Sequence, residues 1–66
     1  MGGTKLSKTL KEARVKLKLT QKQVAEKAQV NSNWYARLER GEEKASLDTL
    51  KTIFKVLHLK IPDPFN

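Results

Sequence analysis

The 66-residue chain contains no cysteine, one histidine, two prolines and three glycines. The absence of cysteine excludes disulfides, thiolate chemistry and the cysteine-rich kind of structural zinc site. No run of residues approaches the ~20 apolar positions that span a bilayer, and no apolar stretch of signal-peptide length follows the basic N-terminal segment. We therefore expect one small cytoplasmic domain with no structural metal, no cofactor and no membrane segment.

Acidic residues are scarce as well. Seven acidic residues stand against fourteen basic ones, which gives a formal net charge of +7 and a pI of about 10.0. Between Lys5 and Gln29 the ratio is eight basic residues to two acidic ones. Basic side chains that neutralise phosphates release condensed counterions, so this balance favours a nucleic-acid partner. For any single lysine, a solubilising surface role explains the charge equally well.

The most informative segment is 19–41, which reads LTQKQVAEKAQVNSNWYARLERG. It contains two short helical patterns joined by a brief turn, as a helix-turn-helix does. Thr20 and Gln23 have the spacing of a capping box, so the first helix is predicted to begin there. Its apolar face, related by i+3 and i+4 spacings, consists of Val24, Ala25 and Ala28.

The second pattern begins after Asn31, a good N-cap residue, and is predicted to run from Ser32 to about Arg40. Gly41 ends it, because glycine adopts the left-handed conformation without steric cost. One side of this helix is polar and cationic, whereas the opposite side carries Tyr35 and Leu38. The polar side consists of Asn33, Ala36, Arg37 and Arg40. Such a face suits a DNA major groove, although a merely solvated surface is equally compatible with it.

Two further helices are predicted to flank this pair. The first, within 4–18, has an apolar stripe of Leu6, Leu10, Ala13 and Leu17. The other follows Ser46 as its N-cap, and we expect it to form the floor of the core with Leu47, Leu50, Ile53, Phe54 and Leu57. The tail carries two prolines that prevent a regular helix, and three apolar residues that require cover: Leu59, Ile61 and Phe65.

At these residues the chain resembles the lambda-repressor-like helix-turn-helix family, of the Cro and Xre type. The resemblance spans about residues 6–59 and rests on Leu19-Thr20-Gln21, Val24-Ala25, Val30, Tyr35, Arg37 to Gly41, Ser46-Leu47 and Thr49-Leu50. It implies a compact all-α bundle of four or five helices. We expect a single DNA-binding domain over residues 4–66, with the helix-turn-helix at about 20–41. Residues 1–3 are interpreted as a flexible leader or tag remnant.

The resemblance also assigns roles to individual residues. Bases are expected to be read by Ser32, Asn33 and Arg37, since asparagine can pair with adenine and arginine with guanine. Phosphates are expected to be contacted by Gln21, Lys22, Trp34, Arg40 and Lys44. Simple packing on the preceding helix is the alternative for Trp34. Glu42 and Glu43 oppose the contacts near Arg40, because carboxylates repel phosphate unless they point outward or pair with neighbouring lysines.

Arg14 and Glu39 match positions that form an ion pair in several relatives, and we interpret them as structural. The chain departs from the family pattern at two positions. Gln29 replaces a glycine in the turn, where a positive φ would carry some strain. Pro64 stands where relatives often begin a fifth helix, which makes dimerisation through that end uncertain.

The sequence therefore predicts a bacterial or phage-encoded, sequence-specific regulator of transcription. We expect a repressor that acts as a homodimer on a palindromic operator in double-stranded DNA. The alternative is a protein-interaction adaptor or antitoxin-like module of the same fold, for which exposed Ile61 and Phe65 would be the signature. No nucleophile–base pair, metal-ligand cluster or phosphate-binding glycine loop is recognisable, so an enzyme is not expected.

Overall fold

The computed structural model describes residues 5–60, which form four α-helices and contain no strand. The helices are α1 (Lys5–Lys16), α2 (Gln21–Ala28), α3 (Ser32–Glu39) and α4 (Leu47–Val56). This confirms the all-α class, and the start of α2 and both ends of α3 lie within a residue of the predicted ones. The interpretations of residues 1–3 and of the tail residues Ile61, Pro62, Pro64 and Phe65 concern positions outside the described residues.

Side chains that accept hydrogen bonds begin three of the helices. At α2 the capping box is complete: the Gln23 N–H donates to Thr20 Oγ1 over 3.0 Å, and the Thr20 N–H donates to Gln23 Oε1 over 2.8 Å. Asn31 Oδ1 accepts from the Trp34 N–H at the start of α3. Ser46 Oγ accepts from the N–H three residues ahead at the start of α4. These local bonds explain why the sequence alone located the helix starts.

All four helices end in the same backbone arrangement, the Schellman motif. In α3, for example, the Gly41 N–H donates to the Leu38 carbonyl, and the N–H of the next residue reaches back to the Arg37 carbonyl over 2.9 Å. The motif requires a left-handed residue just past the helix. Glycine fills that position only after α3; the other three helices use Lys18, Gln29 and His58, with φ between 57° and 60°.

The core collects side chains from every helix. Its buried hydrophobic residues are Leu10, Ala13, Val24, Ala25, Ala28, Tyr35, Leu38, Ile53 and Leu57. α2 occupies the centre, since it packs against both α3 and α4, while α1 packs against α3. This arrangement places the first turn of α2 and the outward side of α3 on the surface.

The expectation for α4 was partly wrong. Ile53 and Leu57 are fully buried, but Leu47 is 62% exposed, and Leu50 and Phe54 are only half-buried. Leu47 is the first residue of the helix, and neither it nor Leu50 is among the hydrophobic residues that pack against the core. The floor of the core is therefore narrower than the apolar stripe predicted.

Candidate nucleic-acid interface

The outward side of α3 is the polar face that the sequence predicted. Asn33, Arg37 and Arg40 are exposed, whereas Tyr35 and Leu38, on the other side of the same helix, are 0% and 3% exposed. The two buried residues fix the helix in the core. As a consequence, the amide and the guanidinium groups are presented together to the solvent.

The first turn of α2 provides a second group of polar donors. Gln21 and Lys22 are its first two residues, and Lys22 is exposed. The capping box satisfies the N–H groups of the flanking residues Thr20 and Gln23. The first N–H groups of a helix have no intrahelical acceptor, and they carry the positive end of its dipole. This turn is therefore suited to an anion.

An ion pair between α1 and α3 connects the polar face of α3 and the first turn of α2 to the rest of the fold. Arg14 donates to Glu39 through Nε over 2.7 Å and through Nη2 over 3.1 Å. Its remaining nitrogen, Nη1, donates to the Leu19 carbonyl over 2.9 Å in the turn before α2. One guanidinium thus joins α1, the entry to α2 and the end of α3. The Glu39 side chain is 2% exposed, so its charge depends on this partner.

Gln21 joins the same cluster, because its Nε2 donates to Glu39 Oε1 over 3.1 Å. Burial acts to raise the pKa of the Glu39 carboxyl, but hydrogen bonds from Arg14 and Gln21, together with the nearby Tyr35 phenol, outweigh it and hold that pKa below its usual value. Burial, with a further contribution from Glu39, raises the pKa of Tyr35. The Tyr35 hydroxyl is buried and forms no hydrogen bond of standard geometry within the described residues. At neutral pH the Glu39 carboxylate is therefore ionised, and the Arg14 guanidinium balances its charge within the cluster.

The loop after α3 places two carboxylates against the arginines of the polar face. Arg37 Nε donates to Glu43 Oε2 over 3.1 Å. Arg40 donates to Glu42 through Nε over 2.8 Å and through Nη2 over 3.4 Å. The Arg40 guanidinium lowers the pKa of the Glu42 carboxyl through these hydrogen bonds. Both arginines are thus paired within the chain in the absence of a ligand.

The remaining candidate residues lie around this face. Ser32 is half-buried at the first position of α3, and Lys44 is exposed in the loop that leads to α4. Trp34 is half-buried and packs against the core. Its partial exposure leaves both the phosphate contact and simple packing on the preceding helix open for this residue.

The sequence did not reveal the inward bond of Gln21 or the pairing of the loop glutamates. Gln21 was expected beside a phosphate, but its side-chain amide donates to Glu39, eighteen positions along the chain. No local pattern signals a contact of that separation. For Glu42 and Glu43 the sequence showed a conflict of charges, but their partners are arginines and not the neighbouring lysines that the sequence suggested.

Two other features, a metal-binding cluster and a membrane-spanning helix, are absent from the described part of the chain. Residues 5–60 contain no group of three or more histidine, cysteine or acidic side chains placed to hold a metal ion. No helix in that range has both the length and the apolar character that crossing a membrane requires.

This small helical domain presents an exposed cationic face on the second helix of a helix-turn-helix. That arrangement is typical of DNA-binding regulators. A family model described as helix-turn-helix matches residues 10–63, which is most of the chain. The chain therefore belongs to this lambda-repressor-like family of the Cro and C1 type. Searches of curated proteins and of solved structures found no match.

Proposed function

We propose that this protein binds specific sequences in double-stranded DNA and represses transcription as a dimer on a palindromic operator. The observation that carries the proposal is the outward face of α3, where Asn33 and Arg37 are exposed while Tyr35 and Leu38 anchor the same helix in the core. A rigidly held helix with base-reading side chains on its free side fits the major groove.

Base readout is assigned to the first half of α3. Asn33 can pair with adenine through its amide, and Arg37, one turn further along, can pair with guanine through two donors. Each bidentate contact contributes about 1–3 kcal/mol of discrimination against the wrong base. Ser32 lies at the helix start and donates or accepts according to the base that it faces.

Phosphate contacts set the register of the helix on the duplex. The first turn of α2 offers free N–H groups and the exposed ammonium of Lys22, while Arg40 and Lys44 lie beyond the other end of α3. The side chain of Gln21 is held by Glu39, so its contribution is its backbone N–H. Where the Trp34 indole N–H reaches the backbone, it adds one further donor.

The dimer is proposed because a single recognition helix reads little sequence. One α3 covers only a few base pairs, so two copies related by a two-fold axis double the readout and require a palindromic site. The half-sites are then separated by about 34 Å, which is one turn of DNA. Repression follows from occupancy of promoter DNA in the cytoplasm.

The proposal is tested by selecting bound sequences from a random duplex library at near-physiological salt, with the Asn33→Ala, Arg37→Ala double variant in parallel. The matched control is Lys8→Gln, Lys11→Gln, which removes two exposed charges from α1. We expect a palindromic motif for the parent protein and the control, and none for the double variant.

Two other outcomes would contradict the proposal. Salt-sensitive binding without any motif would indicate a basic adaptor whose specific partner is a protein. A motif of a single half-site, with one protomer per duplex in sedimentation, would keep base readout and reject the dimer.

A further inference from the structure

We propose that Glu43 is a positioning residue for Arg37, holding its guanidinium by one edge so that the other edge is presented to a guanine. The inference deepens the proposed function, since it rests on base readout by Arg37. The neighbouring Glu42 has a different effect, because it occupies the side edge of Arg40, a proposed phosphate contact, and competes with phosphate for those donors.

The two ion pairs differ in which nitrogens they occupy. Glu43 accepts only from Nε of Arg37, over 3.1 Å. Within residues 5–60 no hydrogen bond from Arg37 Nη1 or Nη2 is present, so the terminal edge of this guanidinium stays open. Glu42, in contrast, engages both Nε and Nη2 of Arg40, over 2.8 and 3.4 Å.

That difference has a direct chemical consequence. Guanine offers two acceptors, O6 and N7, to a pair of parallel N–H donors. Arg37 keeps such a pair free while its Nε is held. For Arg40 the side edge is already filled by a carboxylate, so a phosphate must displace Glu42 before it can use the same donors.

The backbone explains why Glu43 can hold a side chain in place. The Schellman turn at Gly41 bonds the Glu42 N–H to the Arg37 carbonyl over 2.9 Å, which brings the loop back over the last turn of α3. The Glu43 side chain is 32% exposed, against 53% for that of Glu42. It also lines a cleft of about 270 Å³ with residues of α1 and α4, including Leu6 and Leu50. The Glu43 side chain is thus less exposed and more enclosed by neighbouring residues than that of Glu42.

Helix electrostatics point in the same direction. The C-terminal end of a helix carries the negative pole of its dipole, which disfavours carboxylates there. Both glutamates nevertheless follow the end of α3, and each lies against one arginine of the polar face. The two arginines offset the unfavourable position, so each carboxylate is held against the polar face by its partner.

The test measures base preference in Glu43→Gln, with Glu42→Gln as the matched control. Binding to the selected site is compared with binding to sites altered at the base pair read by Arg37 and at the pair read by Asn33. For Glu43→Gln we expect the preference at the Arg37 position to fall about threefold, as loss of an exposed ion pair allows, with the Asn33 position unchanged. A purely structural loss would weaken both positions equally.

Glu42→Gln is expected to behave differently. Removing this competition should strengthen binding to every sequence and steepen the logarithmic salt dependence by up to about one unit, because Arg40 then neutralises its phosphate without displacing a carboxylate. Base preferences should not change. If Glu43→Gln instead strengthens binding to all sequences in the same way, Glu43 only repels phosphate and the inference is overturned.

Arg37 variants separate this inference from the proposed function. Arg37→Ala should abolish the preference at its base pair, and adding Glu43→Gln to that variant should change nothing further. If Arg37→Ala leaves every preference intact, base readout by Arg37 is rejected, and the role of Glu43 with it. If Arg37→Ala abolishes the preference and Glu43→Gln preserves it, only the role of Glu43 is rejected.

Discussion

At the scale of single residues, the Glu39 carboxylate links the elements that must stay in register for recognition. It accepts from Arg14 of α1 and from Gln21 of α2 while belonging to α3. The N-terminal turn of α2 and the polar face of α3 are therefore positioned by one buried charge. A substitution of Glu39 should therefore lower the stability of the fold, and the loss of stability should in turn weaken DNA binding.

The ion pair can be measured by a double-mutant cycle of Arg14→Met and Glu39→Leu. Each single substitution leaves an uncompensated charge that is largely removed from water, which costs about 3–5 kcal/mol in buried pairs. Arg14 keeps 14% side-chain exposure, so we expect Arg14→Met to cost more than Glu39→Leu. The double variant should be more stable than Arg14→Met in urea unfolding. Additive losses would show that the two residues act independently.

The same carboxylate predicts how stability depends on pH. The pKa of Glu39 is below its usual value of 4.5 in the folded protein, so the unfolded chain binds a proton more readily. Its contribution to stability is therefore fully present above pH 4.5 and is lost as the pH falls through the lower folded pKa.

Thermal unfolding between pH 7 and pH 2 tests this dependence. We expect the parent protein to lose stability below pH 4.5, and Glu39→Gln to be less stable at neutral pH but less sensitive to acid. Equal acid sensitivity in the two proteins would assign the effect to other carboxyl groups, such as Glu42, whose pKa is also lowered.

At the scale of elements, every described helix is ended by the same left-handed turn, and three of the four turns lack glycine. A non-glycine residue in this conformation costs on the order of 1–2 kcal/mol, against a smaller entropic cost for glycine. The turn between α2 and α3 is the functional one, because it sets the angle between the two helices. Gln29 occupies it with a φ of 60°.

Gln29→Gly should therefore raise the free energy of unfolding by about 0.5–1 kcal/mol, since strain is relieved while flexibility increases. Gln29→Ala is the matched control and should give no gain, because alanine keeps its Cβ. The converse variant, Gly41→Ala, should lose about 1 kcal/mol at a φ of 77°. Denaturant unfolding checks all three, and a stabilising alanine at position 29 would contradict the argument.

The starts of the helices could be predicted from the sequence, whereas contacts between helices could not. Helix starts were predicted because Thr20, Asn31 and Ser46 bond to N–H groups only three residues away, which is a local property. The positive φ of Gln29 was predicted from the family pattern, whereas nothing in the sequence indicated a positive φ at Lys18 or His58. The bond from Gln21 to Glu39 depends on the packing of α2 against α3, which no spacing encodes.

For the molecule as a whole, the net charge of +7 does not say which lysines contact DNA. The proposed interface uses the first turn of α2 and the end of α3, and only a few of the basic residues lie there. Lys8 and Lys11 are exposed on α1, where they line a shallow surface with Val15. We therefore expect part of the excess charge to contact phosphates directly and the rest to act only through the general attraction of a basic surface to DNA.

Salt dependence distinguishes these two contributions. Each phosphate neutralised by direct contact adds about 0.9 to the negative slope of log K against log salt concentration. We therefore expect Lys22→Gln and Lys44→Gln each to reduce that slope by about one unit per protomer. Lys8→Gln and Lys11→Gln carry the same change of charge and should leave the slope nearly unchanged while lowering the association rate slightly. Equal slope changes in all four variants would mean that the positive surface acts as a whole, and that α2 and α3 do not define the contact.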